Sequence, residues 1–265
     1  MSRRVTNALC CLAGSQLLLL GAALGTAGDE PKQPEPDLTD KHPHDNRFYL
    51  ARLSQLRQEL DRFNDDRRAR DLLVQMVGTE YAYVGRYQKA LESFDDRPGR
   101  ADRKDQPGAL DGYESRDAVD ALLDLADRHQ VIMINEAHHV PLHRAFTLRL
   151  LEGLYRRGFR YFAAETLSSR DDALAARGYP TLKTGSYIAE PVYADLVRTA
   201  LRLRFTVVPY EFESATPPSK SDDPLAAQNA CEEGQAKNLK ERILAKDPKA
   251  KIIVHAGYAH ISKKP

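Results

Sequence analysis

The apolar run Val131-Ile132-Met133-Ile134 ends in Asn135-Glu136-Ala137-His138-His139 and passes at once into a helical pattern led by Pro141. Four successive apolar residues predict a strand over 131–135 that is buried on both faces, as in a parallel sheet. Near the other end of the chain the arrangement recurs, with Ile252-Ile253-Val254 running into His255-Ala256-Gly257-Tyr258-Ala259-His260. Between them lie two more apolar runs, each closed by a carboxylate: residues 159–164 before Glu165, and residues 205–209 before Tyr210-Glu211. Helical patterns separate the four runs, over about 141–157, 191–203 and 225–245, and another precedes the first, capped by Ser115 or Asp117. Alternating strands and helices predict an α/β fold, a mostly parallel sheet with flanking helices.

This domain is expected over 115–265; because no covering helix follows the last strand, the expectation is an incomplete fold or a chain cut short, in which case an edge of the sheet and one wall of the site are missing. Ahead of it, Phe48, Leu50, Leu53, Leu56, Leu60 and Phe63 recur at helical spacing, and a second run covers 72–94, broken near Gly78 or Gly85. Residues 47–94 therefore predict an N-terminal helical hairpin. Residues 85–94 resemble half of a tetratricopeptide unit, but nothing repeats it, so a hairpin packed on the main domain is expected. Polar stretches over 28–46 and 95–114 read as linkers, the first of them disordered.

Residues 1–27 have the pattern of an export signal. Arg3 and Arg4 precede an apolar stretch, and Gly25-Thr26-Ala27 offer a cleavage site. A periplasmic or secreted location is expected, with the membrane touched only through this segment, or held by it if it stays uncleaved. Cys10 and Cys11 fall inside the signal, so Cys231 stands alone in the mature chain and no internal disulfide is expected. Across 265 residues the formal net charge is +1, which demands no broad basic surface and argues against a nucleic-acid partner.

In a parallel sheet, carboxyl strand ends share one edge, where α/β folds hold their ligands. Glu136, His138, His139, Glu165, Glu211, His255 and His260 all belong to that edge. Mixed carboxylates and imidazoles bind divalent cations or divide acid and base roles. His139 and His143 stand one helical turn apart, a spacing also used for zinc, although the glutamate of the zinc-protease helix is not between them. Glu136 alone reads equally well as a cap for the following helix. No Gly-x-Ser-x-Gly elbow is present, which disfavours a serine α/β-hydrolase.

Several of these stretches resemble the motifs of the erythromycin esterase/ChaN-like superfamily, which includes Tiki/TraB-related proteins. They are Asn135-Glu136-Ala137-His138-His139, Phe162-Ala163-Ala164-Glu165, Tyr210-Glu211, Gln235-Ala236-Lys237-Asn238-Leu239 and the segment from His255 to His260. Asn135 stands where that family usually has Gly, and Cys231 stands where an Arg usually precedes the acidic residue, here Glu232. The resemblance implies a core of Glu136, His138, Glu165 and His260, with Glu211 and His255 close by. The expected activity is hydrolysis of an ester or amide in a small-molecule or peptide substrate. Water would be activated directly, or on zinc, manganese or cobalt held by Glu136, His138, Glu165 and His260. An alternative is an envelope protein binding haem through His138, His139, Tyr210 or Tyr258, without covalent attachment because Cys-x-x-Cys-His is absent. A further alternative is a helical adaptor whose α/β domain is inactive.

Overall fold

The computed structural model describes residues 49–63, 65–95, 111–212, 224–257 and 260. The export signal, the linker over 28–46, most of the linker over 95–114, and Tyr258 lie outside the described residues.

Four parallel strands form the sheet: β1 (Val131–Glu136), β2 (Phe159–Ala164), β3 (Thr206–Pro209) and β4 (Lys251–Gly257), in the order β1-β4-β2-β3. The last strand therefore enters the middle of the sheet, between the first two. Three helices, α1 (Tyr49–Arg62), α2 (Arg67–Tyr83) and α3 (Tyr87–Asp95), precede the sheet, each packed on the next. Gly78 does not break α2; the chain turns at Gly85, whose φ of 73° lies in the left-handed region that glycine adopts without penalty.

The crossover helices start and stop where local chemistry directs. Asp117 caps α4 (Ala118–Ala126) by accepting from the Val119 and Asp120 amides. Pro141 begins α5 (Pro141–Arg156), and Gly158, with φ 89°, follows its end. A loop carries one helical turn, α6 (Leu174–Arg177), and a 3-10 turn over Ser186–Ala189. Glu190 caps α7 (Pro191–Arg202), and α8 (Pro224–Leu239) continues as a π-helical segment over Lys240–Leu244.

Helices cover both faces of the sheet. On one, Ile134, Phe162, Ala164 and Ile253 pack with Leu150, Leu151 and Leu154 of α5 and Leu196, Val197 and Ala200 of α7. On the other, Ala163, Val208, Ile252 and Val254 pack with Ile243 and Leu239. No β1 residue joins this second cluster. Val131 is 40% exposed and Met133 51%, so β1 is an edge strand buried on one face, not on both as its composition predicts. The correction has a topological cause: β4 takes the inner position, and α8 covers only the strands beyond it. No described helix is long and apolar enough to cross a membrane.

Thr166, just after β2, has φ 68°, a costly conformation for a β-branched residue, about 1–3 kcal/mol. The turn is held by the Ser186 amide donating to Thr166 O and by a bridge between Leu167 and Gly185. A methyl group on Gly185 would run into the Thr166 carbonyl oxygen and Leu167 Cα. Gly185→Ala is expected to cost about 1–3 kcal/mol, read as a lowered midpoint in thermal unfolding.

Candidate active site

The centre of the site is an ion pair sealed from solvent. Arg144, on α5, is fully buried, and Glu136, the last residue of β1, is 2% exposed. Arg144 Nε donates to Glu136 Oε2 and Nη2 to Oε1, both at 2.7 Å. The third arm, Nη1, donates to Glu190 Oε2 at 3.0 Å. Two imidazoles complete the carboxylate. His138 Nδ1 lies 2.8 Å from Oε1, and His255 Nε2 2.8 Å from Oε2. A carboxylate offers roughly four lone-pair positions, and four N–H groups occupy them. Burial by itself would raise the Glu136 pKa; the Arg144 and His255 charges and the Arg144 and His138 hydrogen bonds outweigh it and hold the group well below the ordinary carboxylate range.

This arrangement sets the tautomer of His138. Its Nδ1 faces an acceptor-only carboxylate, so Nδ1 carries the proton and, in the neutral ring, Nε2 carries the lone pair. The Nε2 atom points towards Glu165 Oε1, 3.9 Å away. The ring lies against Tyr187, centroids 4.5 Å apart and planes tilted by 33°. Its other side leaves no room for a side chain on β4: a Cβ on Gly257 would lie 2.7 Å from His138 Nε2 and 3.1 Å from Glu165 Oε2.

Glu165 follows β2 and is 3% exposed. Its Oε2 accepts the Gly257 amide, while Oε1 is left to the imidazoles of His138 and His260, neither of which meets it in full hydrogen-bond geometry. His260 Nε2 is 3.2 Å from Oε1, and His260 Nδ1 is 2.7 Å from Glu232 Oε1 on α8. Burial raises the Glu165 pKa, but His260, His138 and the Gly257 amide lower it further, so the net shift is downward. Burial disfavours the charged form of His260, yet the carboxylates of Glu165 and Glu232 push its pKa up to about 9. Glu211 accepts the Thr166 amide at 2.5 Å and Gln235 Nε2 at 3.3 Å. Its pKa is raised by burial and by the Glu165 charge. Asn238 Nδ2 donates to the carbonyls of Tyr210 and Glu211, so the Gln235 to Leu239 motif clamps the end of β3.

The sheet thus brings together Glu136, His138, Glu165 and His260, with His255 and Glu211 supporting them. Other residues expected at the site are placed differently. His139 is stacked on Phe94 of α3, ring centroids 3.3 Å apart. His143 Nδ1 accepts the Ala137 amide at 2.9 Å, so the two histidines one turn apart do not converge. Tyr210 is buried, with its hydroxyl directed at His255 O. His255 is enclosed between Glu136 and Thr147 Oγ1, 3.2 Å from its Nδ1. Glu136 does not cap α5, whose first residue follows Val140 without a side-chain cap.

The donor set does not suit a divalent cation at Glu136. All four of its lone-pair positions are taken, and a cation there would face the Arg144 guanidinium. Among the described residues, no three His, Cys, Asp or Glu side chains are arranged to hold a metal ion.

Sequence reasoning missed Arg144, Glu190 and Tyr187, and saw Glu232 only as the acid of a motif without its pairing to His260. Arg144 had a visible signal: it shares a three-residue spacing with Pro141, Thr147 and Leu150 on the buried stripe of α5. A charge on a core stripe requires a buried partner. Nothing local marked Glu190 or Tyr187.

Arg144→Met would leave Glu136 and Glu190 buried without their cation and is expected to cost about 3–5 kcal/mol, measured by denaturant unfolding. The raised pKa of His260 carries a second expectation. Its stabilising effect is fully present below the unfolded-state value near 6.5 and is lost as pH rises through about 9. The parent should therefore lose more thermal stability than His260→Gln across that window; parallel curves would contradict the pairing. Searches with this chain against protein-family models, curated proteins and solved structures return no match.

Proposed function

We propose that this chain is an exported hydrolase of an ester or amide in a small-molecule or peptide substrate, with His138 as the general base acting directly on water. The observation that carries the reading is the chain Arg144–Glu136–His138, which fixes one imidazole nitrogen as a donor and turns the other towards Glu165. The resemblance to the erythromycin esterase/ChaN-like superfamily points the same way, as does the export-signal pattern of residues 1–27.

The 3.9 Å between His138 Nε2 and Glu165 Oε1 is too long for a direct hydrogen bond; on this reading the nucleophile is a water held between the two atoms, at an Oε1 that bulk solvent does not reach. Glu165 Oε1 would accept one proton of that water in a hydrogen bond and orient it. His138 Nε2 would remove the other as the oxygen attacks the carbonyl carbon. Glu136 stabilises the imidazolium so formed and keeps its own proton count unchanged, as its depressed pKa requires. His138 then returns the proton to the leaving oxygen or nitrogen. His260, charged at neutral pH, holds Glu165 in the ionised form. No step passes through a metal: Glu136 is saturated by N–H donors, and no three described His, Cys, Asp or Glu side chains are arranged to hold an ion.

Purified protein on a panel of esters and amides provides the test. His138→Gln should lower kcat by about 10²–10⁴-fold with little change in the unfolding midpoint. Chelator treatment should leave turnover intact. A parent inactive on the whole panel, or a His138→Gln protein as active as the parent, sinks the reading. Activity lost to chelator and restored by zinc, manganese or cobalt sinks its metal-free form.

A further inference from the structure

Around His138 almost every polar group is committed. Glu136 takes four donors, and all three faces of Arg144 are engaged. Tyr193 donates to Glu165 O at 2.5 Å, Tyr83 to Ser186 O at 3.3 Å and Tyr210 to His255 O at 3.4 Å. Among these tyrosines, Tyr187 is the exception. Its ring lies against His138, meets Tyr193 edge-on at 6.2 Å, and has the Arg144 guanidinium carbon 5.1 Å from its centroid. Its hydroxyl makes no hydrogen bond to any described residue, and its oxygen is not among the sealed, unpartnered polar atoms.

The backbone that carries Tyr187 is held on both sides. The 3-10 turn over Ser186–Ala189 is tied to Thr166 O through the Ser186 amide and to α2 through the Tyr83 hydroxyl. The next residue, Glu190, is gripped by Arg144 and caps α7. A donor held in place without a protein partner, beside the general base, suits charge that appears only during the reaction.

Resting on the hydrolase reading above, we infer that the Tyr187 hydroxyl donates a hydrogen bond to the carbonyl oxygen of the substrate as that oxygen becomes an oxyanion. The water oxygen forms its bond to the carbonyl carbon and one water proton passes to His138 Nε2. The π electrons of the carbonyl move onto its oxygen, where Tyr187 meets them without giving up its proton. When the tetrahedral species collapses, the bond to the leaving group breaks and the proton on His138 goes to that group. Burial raises the Tyr187 pKa well above the ordinary tyrosine value; Tyr83, Glu165 and Glu136 add to the shift and Arg144 opposes it. The hydroxyl therefore remains a donor throughout the working range of pH.

The competing role is packing: the ring is a shelf for His138 and its hydroxyl is idle. Tyr187→Phe separates the two, since it keeps the ring and removes only the donor, while Tyr187→Leu removes the shelf as well. With an ester that the parent hydrolyses, Tyr187→Phe should lose about 10²–10³-fold in kcat, with KM changed less than about threefold and the unfolding midpoint unmoved. A phosphonate monoester, whose anionic oxygens mimic the tetrahedral species, should bind Tyr187→Phe more weakly by a comparable factor. An active parent whose Tyr187→Phe variant keeps its kcat and its phosphonate affinity overturns this role alone. A parent inactive on every ester overturns the hydrolase reading, and the oxyanion role falls with it.

Discussion

The buried pair of Arg144 and Glu136 is the interaction on which the rest of the molecule's polar architecture depends. Taking both charges out of water costs several kcal/mol per ion, and only good geometry with full hydrogen bonding offsets that. Both conditions are met: two parallel N–H donors meet the carboxylate, a third arm reaches Glu190, and two tyrosine faces flank the guanidinium at 5.0 and 5.1 Å. One side chain on α5 thereby joins the end of β1 to the start of α7. Through Glu136 the same network holds His255 of β4 and the ring of His138.

The strand order turns these local ties into a site. Because β4 lies between β1 and β2, Glu136 is in register with Gly257, and Ala164 with His255. Glu136 and Glu165 therefore leave the sheet on either side of one strand, and that strand ends in a residue with no side chain to separate them. The two acids have different fates. Glu136 is saturated by donors and orients its imidazole. Glu165 has one oxygen hydrogen-bonded to the Gly257 amide and the other turned towards His138 and His260. Environment alone separates two chemically identical groups, one saturated by donors and one with an oxygen left to two imidazoles.

Much of this was legible along the chain. Apolar runs closed by Glu136, Glu165, Glu211 and His255 marked both the strands and the edge at which their polar ends meet. Proximity to that edge was a weaker guide to individual roles. His139, adjacent to His138, turns away to stack on Phe94, a residue of the N-terminal helices. Tyr210 is a core residue although its neighbour Glu211 supports the Thr166 turn. Glu190 and Tyr187 carried no signal, because each acts on a distant partner, Glu190 on Arg144 and Tyr187 on His138; Glu232 was visible as the acid of a motif, but its pairing with His260, 28 positions away, was not.

The sequence by itself determined the alternation of strands and helices, the parallel sense of the sheet, and the collection of acids and imidazoles at its carboxyl edge. These follow from hydrophobic period, capping residues and chain direction, which are properties of neighbouring residues. Only the tertiary structure decided that β4 inserts beside β1, that β1 keeps one open face, and which imidazole carries its proton on which nitrogen. Those outcomes depend on groups meeting across the fold, where burial strips away water and leaves each polar atom to the few partners within reach.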